Sequence, residues 1–294
     1  MTRAWTAGQL LFEPPTDLPW MKTHAALPAA VPHGDAHRVY FSGRDERGRA
    51  RIGYFDADLE AGRVLGVSAA PVLDLGTLGA FDDSGVTMSC LVEYAGRQYL
   101  YYSGWSLGVT VPFYFYVGLA IGDGERFERV SAAPILERNA IDPFLTASPW
   151  VLVEDGVWRM WYISCCRWEL HDGQPRHYYH IRYAESADGI RWERGGRVCI
   201  DFAGLDEYAM ARPCVVKQDG RYKMWFCVRG DAYRLAYAES PDGLTWTRGA
   251  DPAVPPSGWD AEMQAYPAVV DGRWLLYNGN GYGRTGIGLA RPHA

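Results

Sequence analysis

The chain has 294 residues, is rich in aromatics (twelve Trp, nineteen Tyr) and glycine (33), and carries a formal net charge of −6 with no block of like charges. That length is long for one core yet short for two ordinary domains, and the mild acidity without a basic run excludes the electrostatic footprint of a nucleic-acid binder. No stretch approaches the roughly eighteen apolar residues of a spanning helix, and the opening MTRAWTAGQLLFEPPTDLPW lacks a basic segment followed by an apolar core, so the expected setting is cytoplasmic, away from membranes.

In chain order, the first predicted element is an apolar strand within 3–13, with Trp5, Leu10, Leu11 and Phe12. LPAAVPHGDAHRVYFSG (27–43) with ARIGYFDAD (50–58) follows, then TMSCLVEYAGRQYLYYSGW (87–105) with VGLAIGDGERFERV (117–130). Next comes VLVEDGVWRMWYIS (151–164), whose Val, Asp, Gly, Met and Trp return in VVKQDGRYKMWFCV (215–228). The clearest repetition is IRYAESADGIRWERGG (181–196) against LAYAESPDGLTWTRGA (235–250), with nine identities in sixteen ungapped positions. YPAVVDGRWLLYNGN (266–280) with GIGLA (286–290) is the last, partial copy.

A repeat of this size, built of short apolar strands and Asp-Gly turns, predicts a propeller blade of four antiparallel strands. The chain is therefore expected to be all-β: one domain over 1–294, a five-bladed β-propeller with blades near 22–75, 81–137, 142–201, 206–252 and 257–291. The last copy lacks a fourth strand, so the N-terminal segment 3–13 is expected to supply it and close the ring, leaving no sheet edge unpaired.

The Asp-Gly pairs at 155–156, 188–189, 219–220 and 242–243 suit tight hairpins, where Gly accepts positive φ and Asp bonds its own backbone, so they read as scaffold. Six cysteines with no CxxC spacing read as buried thiols, and neither a metal site nor a cofactor is expected. Function belongs on the opposite face, on the loops SGRDERGRA (42–50), SGWSLGVTVPFYFY (103–116), CCRWELHDGQPRHYYH (165–180), VRGDAY (228–233) and NGNGYGRTG (278–286).

Carboxylates recur just before the innermost strand of successive blades: Asp82 and Asp83, Asp142, Asp206 and Glu207, Asp260 and Glu262. Acids converging on one mouth beside aromatic faces are what glycoside chemistry needs, one protonating the leaving oxygen and another activating water or attacking the sugar. Counting back from Met88 and Pro267 puts Asp83 and Glu262 at matching depth. The expected catalytic residues are Asp83 as base or nucleophile and Glu207 or Glu262 as acid, with Asp82 tuning their ionisation. His24 on the first innermost strand, Trp105, Arg212, Tyr266, Asn280, Tyr282 and Arg284 are the expected substrate contacts. Arg212 and Tyr266 each precede a strand proline, with Thr87 and Ser148 assigned to the same place in two other blades.

The strings FDDSGV, ASPWVLVEDGVWRMWY, ARPCVV, EMQAYP and YNGNGYGRTG resemble those of bacterial glycosidase-like proteins. These are related to the five-bladed propeller glycosidases, which include arabinanases, xylosidases, invertases and mannosyl-sugar phosphorylases. The resemblance spans nearly the whole chain and implies a glycoside hydrolase or transglycosidase acting on a small glycoside, nucleoside or sugar conjugate in a central acid-lined funnel. A glycoside phosphorylase or a non-catalytic carbohydrate-binding propeller are its alternatives. The better-known relatives carry Glu-Gly-Pro and Asp-Pro motifs on their inner strands; here the tripeptides are Ala-Arg-Pro and Ala-Tyr-Pro, and the one Asp-Pro near an inner strand is Asp142-Pro143.

Overall fold

Apolar alternation broken by Asp-Gly turns folds locally into hairpins, and the computed structural model, which describes residues 4–293, arranges them as four-stranded antiparallel meanders. The short β1 (Gln9–Phe12) precedes them. The first meander is β2 (Ala25–His33), β3 (Ala36–Arg44), β4 (Ala50–Asp58) and β5 (Arg63–Val67), and the second is β6 (Gly85–Tyr94), β7 (Arg97–Leu107), β8 (Phe113–Gly122) and β9 (Phe127–Arg129). The third is β10 (Thr146–Glu154), β11 (Val157–His171), β12 (Gln174–Ser186) and β13 (Val198–Ile200), and the fourth is β14 (Ala209–Gln218), β15 (Arg221–Arg229), β16 (Tyr233–Ser240) and β17 (Thr247–Arg248). One parallel pair, Ala50 with Gly85, joins the first two meanders into an eight-stranded sheet, and Tyr179 with Ala209 joins the third to the fourth.

The last sheet holds β18 (Ala265–Val270), β19 (Trp274–Asn278) and β20 (Ile287–Ala290), with a helical turn, α1 (Asn280–Gly283), before β20. Its outer strand is β1, antiparallel to β20 with Gln9 opposite Leu289 and Phe12 opposite Ile287. Phe12 stacks on Phe55 at 4.4 Å, and Trp5 is buried. The predicted strand 3–13 thus appears as β1 plus a bridge from Trp5 to Pro292, while its first residue lies outside the described residues.

The five innermost strands touch in a cycle, β2 to β6, β6 to β10, β10 to β14, β14 to β18 and β18 back to β2. Each slips register at the same place: between Ala26 and Ala29, Met88 and Cys90, Ala147 and Trp150, Ala211 and Cys214, and Ala265 and Ala268. Four of these bulges contain a proline, which cannot donate to the ladder, and the preceding residue takes a positive φ: Leu27 58°, Ser148 46°, Arg212 54° and Tyr266 56°. Amide groups freed at the bulges bind across to the neighbouring meander. Leu27 N–H donates to Asn278 Oδ1 (2.8 Å), Met88 N–H to Ser42 Oγ (2.7 Å) and Ser148 N–H to Ser103 Oγ (2.8 Å). The equivalent of Arg212 and Tyr266 in the second meander is therefore Met88; Thr87 falls one residue early, opposite Ser103 as Ala211 is opposite Cys227. Asp83 and Glu262 consequently lie five and four residues before equivalent positions, not at matching depth.

The Asp-Gly turns are structural. Asp188 Oδ1 accepts the Ile190 and Arg191 amides and Asp242 Oδ1 those of Leu244 and Thr245. Two segments expected as loops are instead ladder: β7 and β8 stay paired out to Leu107 and Phe113, and β11 and β12 out to His171 and Gln174. Alternating aromatic and polar residues there let the hairpins extend past the sheet.

Candidate functional site

A cavity of about 350 Å³ opens where the inner strands meet, and every meander contributes to its wall. The first gives Leu27 and Arg44, the second Thr87, Ser103, Phe113 and Phe115, and the third Ala147, Ser148, Ile163, His177 and Tyr179. The fourth gives Ala211, Arg229 and Tyr233, and the fifth Tyr266 and Tyr282. Small residues of the inner strands make the floor, and the extended hairpins bring the aromatic rings. Tyr266 enters the wall from the positive-φ bulge and Tyr282 from the turn at 281–283, where Gly281 and Tyr282 have φ of 63° and 62°. Aromatic walls with a few convergent polar groups characterise sites for small organic ligands.

Two guanidiniums set the electrostatics of this space. Arg229 lies 5.3 Å from the Tyr208 ring, 5.6 Å from Tyr233 and 5.4 Å from Tyr282, contacts that orient its plane. Its Nε is buried and has no hydrogen-bond partner. Among the described residues neither Arg229 nor Arg44 forms an ion pair with a carboxylate, and no Asp or Glu lines the cavity. His177 stacks on Tyr179 with ring centroids 4.2 Å apart; burial, then the charges of Arg229 and Arg176, push its pKa down to about 3, so it is neutral near pH 7. Burial likewise raises the Tyr179, Tyr233 and Tyr266 hydroxyls, which are protonated donors.

The cavity wall differs from the expected acid-lined funnel: among the described residues it holds no carboxylate. The acids before the inner strands divide into buried anchors and residues at least partly open to solvent. Asp82 Oδ2 accepts from Tyr102 Oη (2.9 Å) and Arg129 Nε (2.7 Å), so it ties its own meander together instead of tuning a neighbour. Asp142 is fully buried and bound by Tyr162, Ser164, Arg182 and Arg194. Asp260 takes Tyr277 Oη at 2.6 Å, Gln264 and Ser257. Glu207 is held by Arg248 (2.7 and 3.1 Å), Arg234 (2.7 Å) and the Ala203 amide (2.8 Å). Burial alone would raise its carboxyl, but these bonds outweigh it and hold the pKa at about 2. A carboxylate so anchored carries no proton at neutral pH, which does not match the expected role of general acid.

Among the described residues, Asp83 and Glu262 form no ion pair. Asp83 accepts from Gly79 N–H and Ser84 Oγ, and Glu262 is exposed, its amide bound to Asn280 Oδ1. Both precede inner strands whose following residues, Thr87 and Tyr266, face the cavity, but neither lines it. Of the expected contacts, Tyr266 and Tyr282 belong to the wall. Trp105 touches it indirectly, 6.3 Å from the Phe115 ring. Asn280 supports the turn by accepting the Glu262 and Met263 amides. His24 is buried behind the mouth with Nδ1 2.8 Å from Thr23 Oγ1; burial, then Arg44 and Arg284, lower its pKa to about 4. Arg284 is exposed and does not line the cavity.

Arg212, an expected substrate contact, stands away from the cavity. It is fully buried, donates to the Ser89 and Pro28 carbonyls on two other inner strands, and sits 5.6 Å from the Trp150 ring. It bolts four meanders together and does not reach the cavity.

The residues missed were Arg44, Arg229, Phe113, Phe115, His177, Tyr179 and Tyr233, all within the loop strings judged functional. A signal for two of them was available. YFSGR (40–44) and WFCVR (225–229) align, so Arg44 and Arg229 occupy one repeat position, the one that carries Trp105 in the second copy and Asn280 in the fifth.

The nearly all-β fold of repeated meanders is shared with solved glycoside hydrolases. A solved glycoside hydrolase superposes with a TM-score of 0.73 at 19% identity, covering 100% of this chain and 92% of its own. A glycosyl hydrolase from Bacteroides ovatus gives 0.73 at 14%, covering 100% and 96%. In sequence, "Uncharacterized protein MT1551" of Mycobacterium tuberculosis is 45% identical over 298 residues, 98% of each chain, and this chain belongs to that protein's family. No protein-family model matches.

Proposed function

We propose that the protein binds a small sugar-containing ligand in the central cavity and acts at its glycosidic bond, by hydrolysis or transfer. The observation that carries this reading is the cavity itself: aromatic faces from four meanders around a floor of small inner-strand residues, in a glycosidase-like fold. Sugar C–H faces pack on such rings while hydroxyls take the polar groups between them. Asp83 and Glu262 are the proposed acid–base pair, supported by their lack of ion pairs among the described residues and their place at the cavity-side ends of β6 and β18. The five meanders are proposed to be five blades of one domain, closed into a ring by β1, in keeping with the cyclic contacts of the inner strands. Removing residues 1–13 should then abolish cooperative melting, and an unchanged melt would refute the closure.

A non-catalytic, sugar-binding propeller is the second reading, favoured by the absence of any carboxylate from the cavity wall. Incubation with a panel of glycosides and sugar conjugates, read by mass spectrometry, separates the two. Product formation lost in Asp83→Asn or Glu262→Gln supports the enzyme; turnover untouched in both excludes this acid–base pair. Saturable binding with no product over the whole panel favours the second reading.

A further inference from the structure

Resting on that cavity reading, we infer that the ligand is anionic, with a phosphate or carboxylate group on the sugar portion bound between Arg229 and Arg44. The chain as a whole is acidic, at −6, so two unpaired guanidiniums in one cavity reverse the global sign locally. Elsewhere, several half-buried arginines are paired with carboxylates: Arg129 with Asp82, Arg194 with Asp142 and Arg248 with Glu207. Arg229 and Arg44 have none among the described residues, and among those residues the buried Arg229 Nε has no hydrogen-bond partner.

An unpaired charge removed from water is costly, and its natural complement is an oxyanion, which the guanidinium fork meets with two parallel N–H bonds. The two arginines stand at the same repeat position on β3 and β15, at the cavity-side ends of those strands, so they approach from separate meanders. Both line the one cavity that Tyr266 also lines, which places them around one volume. The Tyr233 and Tyr282 rings flank the Arg229 guanidinium at 5.6 and 5.4 Å, and the half-buried side chain lines the cavity. His177, kept neutral by burial and then by the charges of Arg229 and Arg176, adds a hydrogen bond without a competing charge.

The test is calorimetric titration with inorganic phosphate, glucuronate and glucose. Phosphate or glucuronate is expected to bind saturably and at least tenfold more tightly than glucose, and which of them does so identifies the anionic group. Arg229→Gln and Arg44→Gln should each weaken that anion at least tenfold with melting temperature retained, while Arg284→Ala, outside the cavity wall, should change it less than twofold. Arg229→Lys serves if the glutamine variant fails to fold; it should weaken binding less by keeping charge without the fork. Neither anion binding more tightly than glucose, or full affinity in both glutamine variants, overturns the inference. If neutral glycosides bind or react while neither anion competes, the glycoside reading stands and this inference falls. If an anion binds and no sugar conjugate displaces it, the reverse holds.

Discussion

The arginines toward the outer edge of the meanders and those of the cavity show two uses of one side chain. Arg129, Arg194 and Arg248 are each spent on a carboxylate from the segment before an inner strand, so their charge holds a meander in place. Arg44 and Arg229 face the shared cavity with aromatic neighbours and no acid. The contrast teaches where to look for chemistry in a repeat protein: a charge whose partner belongs to the repeat is scaffold, and one whose partner is missing awaits a ligand.

The largest break of that contrast should come from Asp142, whose two oxygens serve four side chains with no exposure. Asp142→Asn leaves two guanidiniums short of a buried partner and should cost about 3–5 kcal/mol in denaturant unfolding. Glu207→Gln should cost less, about 2 kcal/mol, because Arg234 is half exposed and solvent screens that pair. Its pH signature is specific. The folded carboxyl is depressed from 4.5 to about 2, so its contribution is complete above 4.5 and is lost as pH falls toward 2. Wild-type stability should decline through that window, and the decline should be shallower in Glu207→Gln. Arg229→Gln, by contrast, should shift stability by no more than about 1 kcal/mol, since it breaks no ion pair. The smallest effect is spectroscopic. NMR titration should find His177 neutral from pH 5 to 8, with a pKa that rises when an anion offsets the Arg229 and Arg176 charges.

Much of this architecture was legible in the sequence because the repeats are written in turn chemistry and strand alternation. The register of 181–196 against 235–250 located the hairpins, and the missing strand of the last copy pointed to the N-terminal segment that pairs with β20. The site was legible only in outline. The loops bearing the cavity wall stood out, but the acids within the repeats drew attention away from it, since a sequence does not show that Tyr102, Tyr162 and Tyr277 reach back to claim Asp82, Asp142 and Asp260. Arg212 misled for a similar reason. The bulge before Pro213 turns its side chain into the protein, where carbonyls of Ser89 and Pro28 accept it, and nothing in the local string reveals those distant acceptors.

The most direct test of the division between scaffold and ligand charges is a paired measurement of unfolding free energy and phosphate affinity on Arg248→Gln and Arg229→Gln. The account predicts a crossed result, with Arg248→Gln losing stability while binding phosphate as the wild type does, and Arg229→Gln keeping stability while losing affinity at least tenfold. Parallel losses in both variants, or unchanged affinity in Arg229→Gln, would contradict it.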